Sequence, residues 1–241
     1  MSGGKRIAAG SRRSSPASAL LNLLYPPKCV FCRRIIREKD ALLCPDCRRN
    51  LPLLRTVEVI HPGLICSAAF YYEEPLRSAF LRYKFEGCDF YAPLFGGYMA
   101  GAARMQLSGP FDLVTWAPLS RKRLRQRGYD QARLLAECAA EEYRLPLVPT
   151  LEKVRNTAPQ SSLSGTARVE NARGAYALLP GAEVGGKRIL LVDDILTTGS
   201  TLGACAAVLL EAGAAGVSCA VLARHKPEEA GTADPPEREH A

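Results

Sequence analysis

The sequence predicts an α/β fold: a mainly parallel sheet flanked by helices, with a small cysteine-bearing module in front of it. Three observations predict it. From residue 113 onward, short oily runs alternate with stretches of helical periodicity and with turns marked by Gly or Pro. One run, Ile189–Val192, passes straight into two aspartates, a Thr/Ser/Gly loop and a helical stretch. Near the N-terminus, Cys29-x2-Cys32 and Cys44-x2-Cys47 form two C-x-x-C pairs separated by eleven residues.

The chain has 241 residues and is 47% hydrophobic, enough for one ordinary domain core plus a small appendage. Its net charge of +8 is uneven. Residues 1–56 hold 12 Lys+Arg against 3 Asp+Glu, and residues 57–241 hold 20 against 21. The excess belongs to the N-terminal quarter and points to a polyanionic partner, nucleic acid first, or to a solvated basic leader. Nine cysteines, an odd number, suit a metal site in a reducing compartment better than a disulfide framework. No targeting segment or membrane-spanning run stands out, because Glu211, Gly213 and Gly216 split the oily stretch 201–224. The expected location is cytoplasmic, without membrane insertion.

Taken in order, residues 1–18 read as a disordered basic leader, 19–56 as a metal-binding module, 57–226 as the main domain and 227–241 as a disordered, charged tail. Ala19–Tyr25 reads as a short helix and Ile65–Tyr72, rich in aromatics, as a strand. Pro75–Tyr83 and Tyr91–Met105 read as helices. Leu113–Ala117 is a buried strand followed by a basic loop. Tyr129–Tyr143 carries apolar residues at 132, 135, 136 and 139, near the helical period. Leu147–Val148 reads as a strand start and 156–174 as a long polar loop, a length at which loops are often functional lids. Ile189–Val192 is a strand, Thr201–Ala212 a helix and Val217–Leu222 a strand. The segment "GAEVGGK" before Ile189 mimics a phosphate-binding P-loop, but Arg188 replaces the Ser/Thr and a strand follows, so it reads as a turn.

The stretch "ILLVDDILTTGST" carries the most chemistry. Ligands bind beyond the carboxyl ends of parallel strands, which is where Asp193 and Asp194 fall. Thr197, Thr198, Gly199, Ser200 and Thr201 then lead into a helix whose free N–H groups attract phosphate, with Gly199 allowing close backbone approach. Two carboxylates repel a phosphate but accept hydrogen bonds from a diol. A sugar phosphate satisfies both halves. The competing reading is a plain capped strand–turn–helix.

This stretch resembles the 5-phosphoribosyl-1-pyrophosphate (PRPP) motif of type I phosphoribosyltransferases. The resemblance implies that Asp193 and Asp194 contact the ribose hydroxyls and that Thr197 to Thr201 bind the 5′-phosphate. It also makes "APLSRKRLRQRGYDQA" the pyrophosphate loop, with Arg121, Lys122 and Arg127 as the cations that face the ligand; a solvated basic turn and a nucleic-acid contact are the other readings. Guanidinium groups grip phosphate oxygens bidentately, and five cations within seven residues repel one another without an anion. The segment "RNTAPQSSLSGTARVENARGAY" resembles the flexible loop that closes over substrate in these enzymes, with Arg155, Gln160 and Arg168 as its reaching residues, or else it is a polar surface loop. Magnesium accompanies PRPP in that family.

Cys29, Cys32, Cys44 and Cys47 have the spacing of a structural zinc site, each knuckle giving two thiolates to one tetrahedron. A redox pair is the runner-up. Cys66, Cys88, Cys138, Cys205 and Cys219 read as core fillers. The order "LLYPPKCVFC…LCPDC", "LRYKFEG", "APLSRKRLRQRGYDQA", "RNTAPQSSLS", "VDDILTTGST" resembles the ComF family (competence protein F) over most of residues 20–225. That resemblance implies a zinc-ribbon-like module joined to a type I phosphoribosyltransferase domain and an association with uptake of transforming DNA. Two departures stand out: only Cys66 remains where many relatives carry a second knuckle pair, and Asp130 replaces the family's Asn.

Three functions remain open: transfer of 5-phosphoribose from PRPP, non-catalytic handling of single-stranded DNA, and an adaptor that docks a DNA-uptake helicase or channel. The sequence marks no catalytic residue and no acceptor. It carries no glutaminase domain and no N-terminal cysteine nucleophile, against a complete glutamine-dependent amidophosphoribosyltransferase.

Overall fold

A computed structural model describes residues 26–36, 38, 41–54, 56–61, 63–154 and 174–226. The leader, the 19–25 helix and the C-terminal tail expected from sequence lie outside these residues, as does nearly all of the 156–174 loop.

The chain runs α1 (Pro45–Arg49), β1 (Val57–His61), β2 (Leu64–Tyr71), α2 (Leu76–Phe85), a 3-10 turn at Asp89–Tyr91, α3 (Ala92–Gln106) and β3 (Leu113–Trp116). It continues with α4 (Arg121–Arg127), α5 (Gln131–Tyr143), β4 (Leu151–Lys153), β5 (Tyr176–Leu178), β6 (Arg188–Leu196), α6 (Ser200–Glu211) and β7 (Gly216–Arg224). The main sheet has the order β1-β2-β7-β6-β3. Strands β2, β7, β6 and β3 are parallel neighbours, and β1 joins the edge antiparallel to β2. The expected α/β fold with a mainly parallel sheet is present.

Two layers cover the sheet, and the side-chain alternation of β6 shows why its strand is oily throughout. Leu190 and Val192 face a core built with α2, α3 and α5, while Ile189 and Leu191 face a second core with α6 and the β4–β5 hairpin. The cysteine module belongs to the first core: Cys29, Val30 and Phe31 are buried there, and the Phe31 ring meets Phe70 of β2 and Phe95 of α3 at 6.3 and 6.1 Å. Arg82 of α2 donates to the carbonyls of Val30 and Phe31 at 2.6 and 3.2 Å. Cys66, Cys205 and Cys219 are buried in the second core, whereas Cys88 and Cys138 are half-buried.

Several expectations need correction. The "basic loop" is largely helix α4: Ser120 caps it by accepting from the Arg123 N–H, and Gly128 at φ 81° ends it. Strand β6 does not stop at Val192 but runs through both aspartates to Leu196. Leu147 makes only an isolated bridge with Val114, and the strand comes later, at Leu151–Lys153. Short strands β1, β4 and β5 were not foreseen.

Candidate functional site

The site forms where β3 ends and β6 continues. Trp116 is the last residue of β3 and pairs with Val192, and Ala117 then donates its N–H to the Val192 carbonyl at 2.9 Å. Beyond that point β6 keeps β7 on one side and has no strand partner on the other, which opens a crevice at the carboxyl edge of the sheet. Asp193 and Asp194 are the residues at that opening.

Adjacent residues on a strand point to opposite faces. Asp193 therefore continues the Ile189/Leu191 face, within electrostatic reach of Lys153, Tyr176 and Cys205. Asp194 continues the Leu190/Val192 face, where its charge acts on Arg127, Asp130, Tyr72 and Tyr83. Burial, and then the neighbouring Asp194 charge, push Asp193 up to about 8. Its Oδ1 accepts the Asp194 N–H at 2.8 Å, which fixes its orientation. Two carboxylates this close in a drying environment do not ionise equally.

Lys84 pairs with Asp194. Its Nζ lies 2.8 Å from Asp194 Oδ2, with the two side chains 18% and 14% exposed. The ammonium also sits 4.6 Å from the Phe80 ring centroid. Lys84 was passed over in the sequence, although a signal existed. Leu76 and Phe80 are buried four residues apart on α2, and Lys84 occupies the next position of that stripe, a cation where an apolar residue is expected.

After Leu196 the chain turns through exposed Thr197 and Thr198 to Gly199, at φ 75°, and enters α6 at Ser200. Thr198 Oγ1 and Ser200 Oγ lie 2.7 Å apart. Leu196, Thr197, Gly199, Ser200 and Thr201, with Asp193, Ile195 and Leu202, line a shallow, solvent-open hollow at the helix N-terminus. Gly199 has a second constraint, because a Cβ there would meet Ile60 Cβ of β1 at 3.1 Å.

Helix α4 approaches from the other side. Residues four apart share a helix face, and Arg123 and Arg127 are the half-buried cations. Arg127 Nη1 donates to Gln131 Oε1 at 2.9 Å, and the guanidinium lies 5.2 Å from the Phe85 ring centroid. Arg121 and Lys122 are exposed. Arg123 was missed because a loop offers no period by which to select it. Asp130 is committed locally: its Oδ1 accepts the Arg133 N–H and its Oδ2 the Leu119 N–H, each at 3.2 Å, so it caps α5 and ties down the β3–α4 connection. Burial pushes this carboxyl up from its ordinary value. Lys153, also unforeseen, donates to the Tyr176 hydroxyl at 3.0 Å across the β4–β5 hairpin. Arg155, Gln160 and Arg168 lie outside the described residues; the two flanks of their segment are joined by the Val154 N–H to Ala175 carbonyl bond of 2.9 Å.

A separate centre stands in the N-terminal module. The Sγ atoms of Cys29, Cys32, Cys44 and Cys47 all lie within 4.8 Å of one another, and Cys32 and Cys44 are 3.6 Å apart. Tetrahedral zinc with Zn–S bonds of about 2.3 Å requires S–S separations of about 3.8 Å, so the donor set fits a structural zinc ion. Burial pushes the Cys29 thiol up, yet hydrogen bonds from the Cys44, Cys32 and Phe31 backbone bring it down to about 7. Burial and the neighbouring thiols push Cys47 up. Among the described residues this is the one four-cysteine group, and Cys66 is buried in β2 beside its strand neighbour Cys219.

Comparison with known proteins identifies two domain families. The phosphoribosyl transferase domain family matches residues 131–237, and the double zinc ribbon domain family matches residues 20–57. Competence protein ComFC of Bacillus subtilis is 31% identical over 218 residues, covering 85% of this chain and 88% of that protein. DNA utilization protein YhgH of Salmonella typhi is 30% identical over 213 residues, covering 81% and 89%. Among solved structures, the allosteric regulatory enzyme of purine biosynthesis aligns with a TM-score of 0.36 and 26% identity, over 54% of this chain and 25% of that one. With an N-terminal zinc-ribbon cluster, a phosphoribosyl transferase domain and ComFC/YhgH relatives along most of its length, this chain belongs to the ComF family.

Proposed function

We propose that the crevice binds PRPP and transfers its 5-phosphoribose to a nucleophile, releasing pyrophosphate, in a protein that serves DNA uptake. The observation that carries this reading is the placement of a carboxylate pair between a hydroxyl-lined helix N-terminus and a cationic helix. Asp193 and Asp194 accept from the ribose hydroxyls, and Thr197 to Thr201 hold the 5′-phosphate. Arg127, with Arg121 and Lys122, receives the pyrophosphate. Those cations stabilise the charge that collects on pyrophosphate as its bond to the anomeric carbon breaks and the nucleophile bonds to that carbon. Magnesium bound together with PRPP would supply further charge neutralisation at the diphosphate. Arg155, Gln160 and Arg168 would reach the ligand from the segment between Val154 and Ala175, two residues that are hydrogen-bonded to each other.

No helix among the described residues is long and apolar enough to cross a membrane, and the four-thiolate cluster fits a reducing compartment, the cytoplasm. The test is thermal. A ligand that binds the folded state raises Tm by mass action. PRPP with Mg²⁺ is expected to raise Tm more than ribose 5-phosphate or pyrophosphate alone; no rise at millimolar PRPP contradicts the reading.

A second reading, non-catalytic handling of single-stranded DNA, draws on the outward face of α4. Arg121, Lys122 and Arg125 are exposed there, beside a Phe85 ring that is 65% exposed with Arg127 over it. Such binding would be steeply salt-dependent. DNA-independent capture of an uptake helicase or channel would instead mark the adaptor role.

A further inference from the structure

Lys84 is placed oddly for a structural cation. It extends the buried Leu76/Phe80 stripe of α2, packs against the Phe80 ring, and ends 2.8 Å from an oxygen that the diol of a ribose needs. A ribose hydroxyl and the ammonium compete for that oxygen. If the ammonium is displaced without finding another anion, a desolvated charge is left unpaired, which is costly.

The neighbouring residues show where a second anion would lie. Phe85, next in the chain, has the Arg127 guanidinium over its ring, so Lys84 and Arg127 flank Asp194 together. The other carboxylate nearby, Asp130, has both oxygens committed to backbone N–H groups of Leu119 and Arg133. Asp193 points to the opposite face of β6. Asp130 and Asp193 act on the two cations as well, but Asp194 is the acid in direct contact with Lys84, so a ligand that takes Asp194 must bring negative charge of its own to that flank.

We infer that Lys84 is an exchange cation: it neutralises Asp194 in the free protein and moves to the diphosphate of the ligand when a ribose hydroxyl takes Asp194. The inference rests on the PRPP reading and adds a ligand contact from α2, outside both the acidic pair and the basic helix. An ammonium suits the role because its three N–H donors swing on a flexible stem from one acceptor to the other.

The test uses inorganic pyrophosphate and PRPP, each with Mg²⁺, titrated calorimetrically into wild type, Lys84→Met and Lys84→Arg. Pyrophosphate has no ribose, and its own high negative charge draws Lys84 from Asp194, so its affinity reads the contact between the lysine and a diphosphate directly. The expected result is at least a tenfold weakening of both ligands by Lys84→Met, with most of the loss recovered by Lys84→Arg. Unchanged pyrophosphate affinity in Lys84→Met overturns the inference and leaves Lys84 as a prop for Asp194. Wild type that binds neither ligand ends this inference and the PRPP reading together. Wild type that takes pyrophosphate but not PRPP ends the PRPP reading and the exchange with a ribose, while the Lys84→Met comparison on pyrophosphate still shows whether the lysine contacts a diphosphate. Should Lys84→Met lose its melting transition, Lys84→Gln, which keeps the side chain polar, takes its place.

Discussion

Lys84 Nζ and Asp194 Oδ2 meet at 2.8 Å, joining the last turn of α2 to the strand that carries the acidic pair. This contact makes the pair unequal. Asp194 has a cation against it, while Asp193, on the other face of β6, is pushed up by burial and by Asp194 itself.

Stability should report that inequality. The folded Asp193 carboxyl keeps its proton until about 8, whereas the unfolded chain releases it near 3.8. Between those values the unfolded state binds fewer protons, so the contribution of this group to stability falls as pH rises. Asp193→Asn cannot ionise. Its Tm advantage over wild type should grow steadily from pH 5 to pH 8.5, corresponding at the top to on the order of a few kcal/mol. Calorimetric melting at fixed ionic strength measures it, and a pH-independent gap would refute the assignment.

Gly199 is held by two constraints, its φ of 75° and the approach of Ile60. Gly199→Ala should cost about 1–2 kcal/mol from the left-handed conformation, with crowding added. Ile60→Ala in the same chain should return only the crowding part. Chemical denaturation of the two single variants and the double variant separates them, and full recovery in the double would mean that the backbone conformation costs nothing.

The cysteine centre shares the main core, because Cys29, Val30 and Phe31 pack with α2, α3 and β2. Cys44→Ser should therefore reduce zinc content from stoichiometric to a small fraction and lower the main melting transition, rather than melt a separate module. Metal analysis and calorimetry on one preparation test both halves. Stoichiometric zinc in the variant contradicts the four-cysteine site.

Much of this was legible in the sequence, for reasons that particular residues make plain. Ile189–Val192 read as a strand because it is oily on both faces, and the Thr/Gly/Ser run after Leu196 read as a turn into a helix. The C-x-x-C pairs carried their own geometry in their spacing. Helix α4 stayed hidden because its seven residues hold five cations and no apolar stripe; Ser120 and Gly128, its caps, were the available signal. Strands β4 and β5, three residues each, are too short to show a period. Lys84 and Lys153 reach the site from elements distant in sequence, and tertiary packing alone brings them to Asp194 and Tyr176. Asp130, which looks in the sequence like an unwelcome charge beside the basic segment, turns out to be a helix cap, a role that Asp and Asn fill equally well.

Asp193 and Asp194, on the stretch of β6 beyond the end of β3, are proposed to hold a ribose. Calorimetric titration of PRPP with Mg²⁺ into wild type and into the Asp193→Asn/Asp194→Asn double variant tests it most directly. Saturable binding by the wild type that the folded double variant loses is the predicted result. Equal binding by both proteins, or none by the wild type, would contradict it.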